Sequence, residues 1–280
     1  MYFYLFDQYT DKPKFAKETD LIKLKLADLG IITDKAKATP IRQVEILARE
    51  ILATKKYKNI IAVGNDKTAH LVVNEILKSK ENVNFGFIPE GDSQIASLCG
   101  LPHGAASCEA ISARRIKKID VGKLDHSFFL TALEIYLQIN KQQDLWNLIL
   151  NKFTSKEKTE VEIEFKDQNE NQSEFKITAP IEKIIIANLL PKKFRKEVEK
   201  YYKNLKTNIS PYDGLLNIFI FAREKNKKPS LSIFRAKTIY LKSRQPLLCF
   251  VDGQKNKRLS GYVGIKPKTL NIIVGKNREF

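Results

Sequence analysis

Residues that form disulfides and bind metals are scarce in this sequence. Its 280 residues include three cysteines and three histidines. Cys99, Cys108 and Cys249 are odd in number and form no CxxC pair, which favours buried thiols in a reducing cytoplasm over a metal or redox role. The histidines stand in separate segments without ligand spacing, so the sequence offers no basis for zinc chemistry.

Long apolar segments are missing as well. No run of 18 uninterrupted apolar residues occurs, which argues against a membrane-spanning helix. The N-terminal segment MYFYLF is followed at once by Asp7 and has no basic region before it, so we interpret it as a first strand rather than a signal peptide. Neither an internal repeat nor a long linker is visible. The expected location is therefore the cytoplasm.

The first part of the chain alternates between strand and helix patterns. Hydrophobic residues make up 43% of the sequence, enough for a sizeable core and two domains. The predicted elements are strands over 2–6, 59–63 and 84–88, a helix over 21–29 closed by Gly30, and a helix opened by Thr39 and Pro40 with Ile41, Val44, Leu47 and Ile51 on one face. This alternation predicts a mainly parallel sheet whose ligands sit at the carboxyl ends of its strands.

A period-two pattern begins near residue 116 and predicts short β-strands. Residues 163–177 are expected to form a hairpin with a polar tip, and residues 191–205 a basic amphipathic helix. Further strand candidates are 215–221, 231–236, 238–242 and 247–251. The fold class is therefore expected to be α/β plus β, with a parallel α/β domain followed by a mainly antiparallel domain packed against it.

Residues 59–77 are the most informative stretch. A short apolar run leads into a tight turn with Asp66 and Thr68, and a helical pattern follows. The free backbone N–H groups and the dipole of a helix N-terminus favour a phosphate at such a turn. Residues 85–102 repeat the same order of strand, turn and helix. Any doubly wound domain contains several such turns, so each alone is a weak signal.

Together these two stretches resemble the diacylglycerol kinase catalytic domain family, which includes sphingosine and bacterial lipid kinases. The family's first signature, GGDGTxxxxVxN, is matched by Gly64, Asp66, Thr68, Val73 and Asn74. Its second, PxGTGNxxA followed by a helix and LGIP, is matched by Pro89, Gly91, Ala96, Leu98, Gly100, Leu101 and Pro102, with one residue fewer between the glycine and the end of the helix. Three further matches follow in the family's order at 117–125, 212–220 and 250–254. The resemblance therefore spans nearly the whole chain.

The resemblance implies where the domains begin and end. The first domain, of the NAD kinase and diacylglycerol kinase type, covers 1–119 and binds the nucleotide. The second covers 120–267 and binds the lipid. The C-terminal segment 268–280 returns to the first domain, with 269–275 as the candidate for its strand.

The resemblance also implies an activity and a site. The activity is the ATP-dependent phosphorylation of a hydroxyl on a diacylglycerol-like lipid, with ATP and magnesium as cofactors. Asp66 serves the nucleotide and the metal, Asp120 matches an aspartate that joins it in a magnesium network, and Asp252 stands where a general base towards the lipid hydroxyl is proposed. The implied cofactor-binding residues are Gly64, Asn65, Lys67, Thr68, Gly91 and Asp92.

Several positions depart from the family's pattern. Asn65 and Lys67 replace the two glycines beside the motif aspartate, although those glycines let the backbone approach a phosphate closely. Asp92 and Ser93 replace Thr-Gly, so that a negative charge would face the triphosphate. Gln254 stands where an acidic residue is usual. These changes all surround the expected nucleotide and acceptor sites.

Simpler interpretations stay open for three residues. Asp120 and Asp252 are each compatible with a turn aspartate that binds its own backbone, because Asp-Gly is a common hairpin turn. His70 follows Asp66 by about one helical turn and would lie near a bound phosphate. A surface histidine is nevertheless its simpler interpretation.

The net charge of +17 has three interpretations. A basic surface can bind anionic lipid head groups, or the phosphates of nucleic acid, or its excess charge can be spread over solvated faces. The densest cluster lies in residues 191–205, where aromatic residues can meet an interface or pack on the second domain's sheet. We rank nucleic acid below an anionic membrane surface because no recognised nucleic-acid module is evident.

Three hypotheses therefore stay open at this point. The first is an active lipid kinase, cytoplasmic or peripheral at the inner membrane face. The second is a member of the same fold that has lost catalysis and binds lipid or nucleotide as a sensor or scaffold. The third is a basic protein that binds nucleic acid or another anionic partner. A homo-oligomer is compatible with all three.

Overall fold

The computed structural model describes residues 1–137, 161–166, 175–177, 181–201, 209–222 and 230–280. The tip of the predicted hairpin, 167–174, and the last part of the predicted basic helix, 202–205, lie outside these ranges. None of the helices in the described ranges combines the length and the apolar character that crossing a bilayer requires.

The first part of the chain alternates between strands and helices, as predicted. Its elements are β1 (Tyr2–Phe6), α1 (Pro13–Asp28), β2 (Asp34–Lys37), α2 (Val44–Ala53), β3 (Asn59–Gly64), α3 (Asp66–Ser79), β4 (Asn84–Pro89), α4 (Gln94–Cys99) and α5 (Ser107–Ala113). Short 3₁₀ helices precede α1 at Gln8–Asp11 and α5 at Gly104–Ala106.

The second part is made mainly of strands. Its elements are β5 (Ile116–Leu124), β6 (Ser127–Phe129), β7 (Ala132–Leu137), β8 (Val161–Lys166), β9 (Phe175–Ile177), β10 (Ile181–Ala187), α6 (Lys192–Glu199), β11 (Leu216–Ala222), β12 (Ser230–Ala236), β13 (Thr238–Val251) and β14 (Gln254–Ile273). The predicted hairpin is confirmed in its described strands, because β8 and β9 pair antiparallel.

Sheet pairing divides the described strands into a parallel and an antiparallel region. Strands β2, β1, β3 and β4 are neighbours in that order and run parallel. The end of β14 joins them in parallel beside β4, where Asn271 lies opposite Asn84. In the other region, β12, β11, β10, β7, β13 and β14 pair antiparallel in that order. The predicted class, α/β plus antiparallel β, is confirmed.

The parallel region has a core on each face of its sheet. Phe3 and Leu5 of β1 point to the core that α2 and α3 cover. Tyr2, Tyr4 and Phe6 point to the opposite core, beside α1 and α5. A strand buried on both faces carries an uninterrupted apolar run. This is why the segment YFYLF was recognisable as a strand.

Helix α6 packs on the antiparallel region rather than standing free. Its Phe194 and Val198 are buried in one core with residues of β10 and β11. Lys192 and Arg195 pair with Glu279, with N–O distances of 3.3 and 3.2 Å. The sequence left open whether this face of the helix meets an interface or packs on the sheet. Its residues Phe194 and Val198 pack on the sheet.

Two predicted helix starts need correction. Helix α1 begins at Pro13, eight residues before the predicted Leu21. Helix α2 begins at Val44, and Ile41 is 90% exposed instead of lying on the buried face. Thr39 caps a local turn, since its hydroxyl accepts a hydrogen bond from the N–H of Arg42 at 3.0 Å and its own N–H donates to the Arg42 carbonyl. Because this turn occupies residues 39–42, helix α2 begins only at Val44.

The three cysteines are free and buried, as expected. Burial raises the pKa of the Cys99 thiol to about 12 and that of Cys108 to about 11. Thiols with such pKa values are protonated at neutral pH and react slowly.

Candidate functional site

The turn between β3 and α3 is held by its own side chains. Asn65 caps α3, and its Oδ1 accepts a hydrogen bond from the N–H of Thr68 at 3.2 Å, while the Thr68 hydroxyl accepts one from the N–H of Asn65 at 3.3 Å. The same hydroxyl donates to the carboxylate of Asp7, at the end of β1. This reciprocal capping satisfies donors that a helix start leaves free.

Gly64 is required at this turn by its surroundings. Its φ is +155°, and a Cβ there would lie 2.7 Å from the Thr68 hydroxyl and 3.0 Å from Cβ of Asp7. The close approach is therefore between Gly64 and side chains of the protein itself. Lys67 is exposed in the first turn of α3 and presents the positive charge of this loop.

Asp66 links the two predicted phosphate loops. Its carboxylate accepts hydrogen bonds from the hydroxyl of Ser93 and from the N–H of Gln94, the latter at 2.9 Å. An anion is favourable at a helix start, and here the carboxylate occupies the beginning of α4. Burial raises the pKa of Asp66, these hydrogen bonds lower it, and the charge of Asp252 raises it further.

The loop after β4 combines an exposed and a buried acid. Gly91 has a φ of +95°, and its N–H donates to Nε2 of the exposed His103 at 2.6 Å. Asp92 is exposed. Glu90 is 1% exposed, accepts a hydrogen bond from Thr19 at 2.7 Å through Oε1, and has no partner for Oε2. Burial raises the pKa of Glu90.

Asp252 belongs to the antiparallel region, and its carboxylate binds the segment between β6 and β7. It occupies the hairpin turn between β13 and β14, with a φ of +47°, and is followed by Gly253 at +78°. Its carboxylate accepts hydrogen bonds from the N–H of Leu130 at 2.9 Å and from the N–H and hydroxyl of Thr131 at 2.8 and 2.7 Å. It is thus a turn aspartate by position, but its partners are remote in sequence.

His70 supplies the fourth group that contacts the carboxylate of Asp252. Its Nδ1 lies 3.1 Å from Oδ2 of that carboxylate, and its side chain is 11% exposed. The simpler interpretation of His70 as a surface histidine is therefore wrong. Asp66 and His70 are four residues apart on α3 and share one face. The polar groups of the two regions meet along that face.

Asp120 lies at the other end of this contact between the regions. It is fully buried on β5, and its two carboxylate oxygens accept hydrogen bonds from the N–H groups of Lys268 at 2.7 Å and Gly214 at 2.8 Å. Its carbonyl accepts a hydrogen bond from Asn188, which also donates to the carbonyl of Leu130. Asn188 therefore connects Asp120 to the segment that Asp252 binds.

Sequence reasoning missed two members of this network. Thr131 and Asn188 lie in no recognised motif, and most of the bonds that they make involve backbone groups. His70 was recognisable, because it follows Asp66 by one helical turn on the face that holds the motif. Its link to Asp252 was not recognisable, since 182 residues separate the two.

The expected metal ligands are a poor fit to magnesium. Both oxygens of Asp120 accept backbone hydrogen bonds, and those of Asp66 accept bonds from α4. A magnesium site needs oxygens that are free to complete an octahedron. In the described part of the chain, no three His, Cys, Asp or Glu side chains are grouped so that they could hold a metal. A metal held by Asp66 and Asp120 stays a prediction without geometric support.

Solved structures share this fold over nearly the whole chain. A diacylglycerol kinase from Bacillus anthracis strain Sterne superposes with a TM-score of 0.70 at 15% sequence identity, covering 99% of this chain and 97% of the other. A second structure from that strain, of a protein assigned as a diacylglycerol kinase, gives a TM-score of 0.72 at 15% identity and covers 99% and 98%. These similarities establish the two-part fold that this chain shares with those structures.

The sequence comparison supports the same resemblance. Residues 3–124 match the model of the diacylglycerol kinase catalytic domain. The match confirms, for these residues, the resemblance inferred from the motifs. No curated protein is detectably similar to the chain in sequence.

Proposed function

We propose that this protein is an ATP-dependent kinase that transfers a phosphoryl group to the hydroxyl of a diacylglycerol-like lipid. The observation that carries the proposal is the meeting of the two regions on one face of α3, where Asp66 stands at the helix start and His70 contacts Asp252 one turn later at 3.1 Å. Phosphoryl transfer requires a held phosphate and a group that orients or deprotonates the acceptor. The start of α3, with the exposed Lys67, favours a phosphate, and His70 and Asp252 lie one turn later to act on the acceptor.

In this proposal the nucleotide lies against the loops that follow β3 and β4. Of the predicted binding residues, Gly64 ends β3, and the others lie in these two loops or in the first turn of α3, namely Asn65, Lys67, Thr68, Gly91 and Asp92. Lys67 supplies positive charge, and the start of α3 supplies its dipole. Magnesium enters only as part of the substrate MgATP. The lipid hydroxyl approaches from the side of Asp252.

A direct test is the transfer of radiolabel from ATP to dioleoylglycerol in mixed micelles. We expect labelled phospholipid from the wild type and none from Asp66→Asn. Asp28→Asn is the matched control, since Asp28 is exposed at the C-terminal end of α1, far from the carboxyl ends of the strands. Equal labelling by the wild type and Asp66→Asn would contradict the proposal.

Specific features favour a second candidate, a non-catalytic member of the fold that binds nucleotide or lipid. The carboxylate of Asp66 already occupies the start of α4, and the exposed Asp92 opposes a triphosphate. Thermal unfolding separates the two candidates. A ligand at about one hundred times its dissociation constant adds about 2.7 kcal/mol of stability. A shift with anionic phospholipid vesicles, without a shift by MgATP and without transfer, supports the second candidate.

A further inference from the structure

The contact between His70 and Asp252 defines the state of the imidazole ring. A carboxylate can only accept hydrogen bonds, so the Nδ1 atom that lies 3.1 Å from Asp252 carries the proton. In the neutral ring Nε2 is then the unprotonated nitrogen. The ring is thus held in the tautomer whose basic atom points away from the carboxylate.

The surroundings of Nε2 leave its lone pair weakly engaged. The amide nitrogen of Asn74 lies 3.4 Å from it. Both hydrogens of that amide have shorter bonds, to the carbonyls of His70 at 2.9 Å and Phe128 at 3.0 Å. The amide orientation is fixed because its oxygen accepts a bond from the N–H of Phe128 at 2.9 Å. The contact with Nε2 is therefore the weakest in this group.

His70 and Asp252 differ in burial, and this difference bears on the role of each. The side chain of Asp252 is 1% exposed and that of His70 is 11% exposed. The carboxylate accepts four hydrogen bonds, three of them from Leu130 and Thr131. It can orient a neighbour, but its oxygens are already engaged by these donors. The imidazole is the more exposed of the two groups.

We propose that Nε2 of His70 accepts the proton of the lipid hydroxyl and that Asp252 is its positioning residue. The assignment rests on the proposed kinase function. The hydroxyl oxygen forms a bond to the γ-phosphorus of ATP, and the bond from that phosphorus to the bridging oxygen breaks. ADP leaves with the electron pair, and the proton moves to Nε2. Asp252 thus acts through His70 instead of as the base itself.

The kinetic test compares His70→Asn with the wild type. Asparagine can still donate to Asp252 but has no basic nitrogen. A general base contributes about 10²- to 10⁴-fold to a rate, so we expect kcat to fall by that factor while KM for ATP stays within about two-fold. Imidazole in solution should partly restore His70→Ala. His126→Asn is the matched control, since His126 is exposed in the turn between β5 and β6, and it should change neither constant.

The kinetic test has two readouts that a structural role would not change, namely the rescue of His70→Ala by imidazole and a loss of kcat without a change in KM for ATP. A folded His70→Asn that keeps the wild-type kcat would overturn the assignment and leave the kinase function standing.

Nitrogen-15 NMR of labelled histidine tests the tautomer without turnover. We expect the proton of His70 on Nδ1 in the wild type and a shift towards the Nε2-protonated form in Asp252→Asn, whose amide can donate to Nδ1. A wild-type ring protonated at Nε2 would refute the proposal. If the wild type binds MgATP but transfers no phosphate to any lipid hydroxyl, the proposed function fails and the base assignment fails with it.

Discussion

The two regions that meet at α3 hold their aspartates in opposite ways. On the parallel side, Asp92 is exposed and Asp66 binds only the start of a neighbouring helix. On the antiparallel side, Asp120 and Asp252 are buried, and each accepts two hydrogen bonds from backbone N–H groups. The positions that differ from the family's glycines lie on the parallel side, which we call the open side. We therefore expect substitutions of these aspartates to cost more stability on the antiparallel side than on the parallel side.

The largest effect that this comparison predicts is on stability. Asp252→Ala removes the acceptor of four hydrogen bonds and leaves the N–H groups of Leu130 and Thr131 unpaired in a buried site. Unpaired buried donors cost about 1–3 kcal/mol each, so we expect the free energy of unfolding to fall by about 3–5 kcal/mol. Urea denaturation measures this change.

The matched substitution on the open side is Asp92→Ala. Asp92 is exposed, and surface substitutions of this kind usually change stability by less than about 0.5 kcal/mol. Similar losses for Asp252→Ala and Asp92→Ala would remove the distinction between the two sides.

The same difference explains how much of the site was predictable. Strands β1, β3 and β4 are buried on both faces, so their apolar runs identified them, and the motif residues after them followed. Strand β2 was missed because its sequence, DKAK, is polar, and its pairing with β1 defines it. The partners of Asp252 were hidden for another reason. They are backbone N–H groups about 120 residues away, and such donors have no sequence signature.

A second prediction concerns the buried acid on the parallel side. Burial, with the charges of Glu18 and Asp7, raises the pKa of Glu90. An acid whose pKa is higher in the folded state costs no stability below its unfolded pKa, near 4.3, and costs more as pH rises through the folded value. Glu90→Gln should therefore match the wild type near pH 4.

At pH 7 the same variant should be more stable by on the order of 1 kcal/mol, because it removes the charge of a buried carboxylate whose Oε2 has no hydrogen-bond partner. Urea denaturation at both pH values measures the difference. Glu199→Gln, at an exposed position of α6, should show no such pH dependence. If the difference in unfolding free energy between Glu90→Gln and the wild type stayed constant from pH 4 to 7, the charge of Glu90 would carry no cost in stability.

The smallest expected effect is on nucleotide affinity at the open loop. Asp92 is exposed beside the proposed phosphate position, and the interactions of exposed charges are worth about 0.2–1 kcal/mol. Asp92→Asn should therefore tighten MgATP binding about two- to five-fold, and Lys67→Gln should weaken it by a similar factor. Calorimetric titration measures both, with Asp28→Asn as a control that makes the same change in net charge at the far end of α1. Since screening weakens such interactions, the differences should shrink in high salt. Equal tightening by Asp92→Asn and Asp28→Asn would assign the effect to net charge and place the phosphates away from this loop.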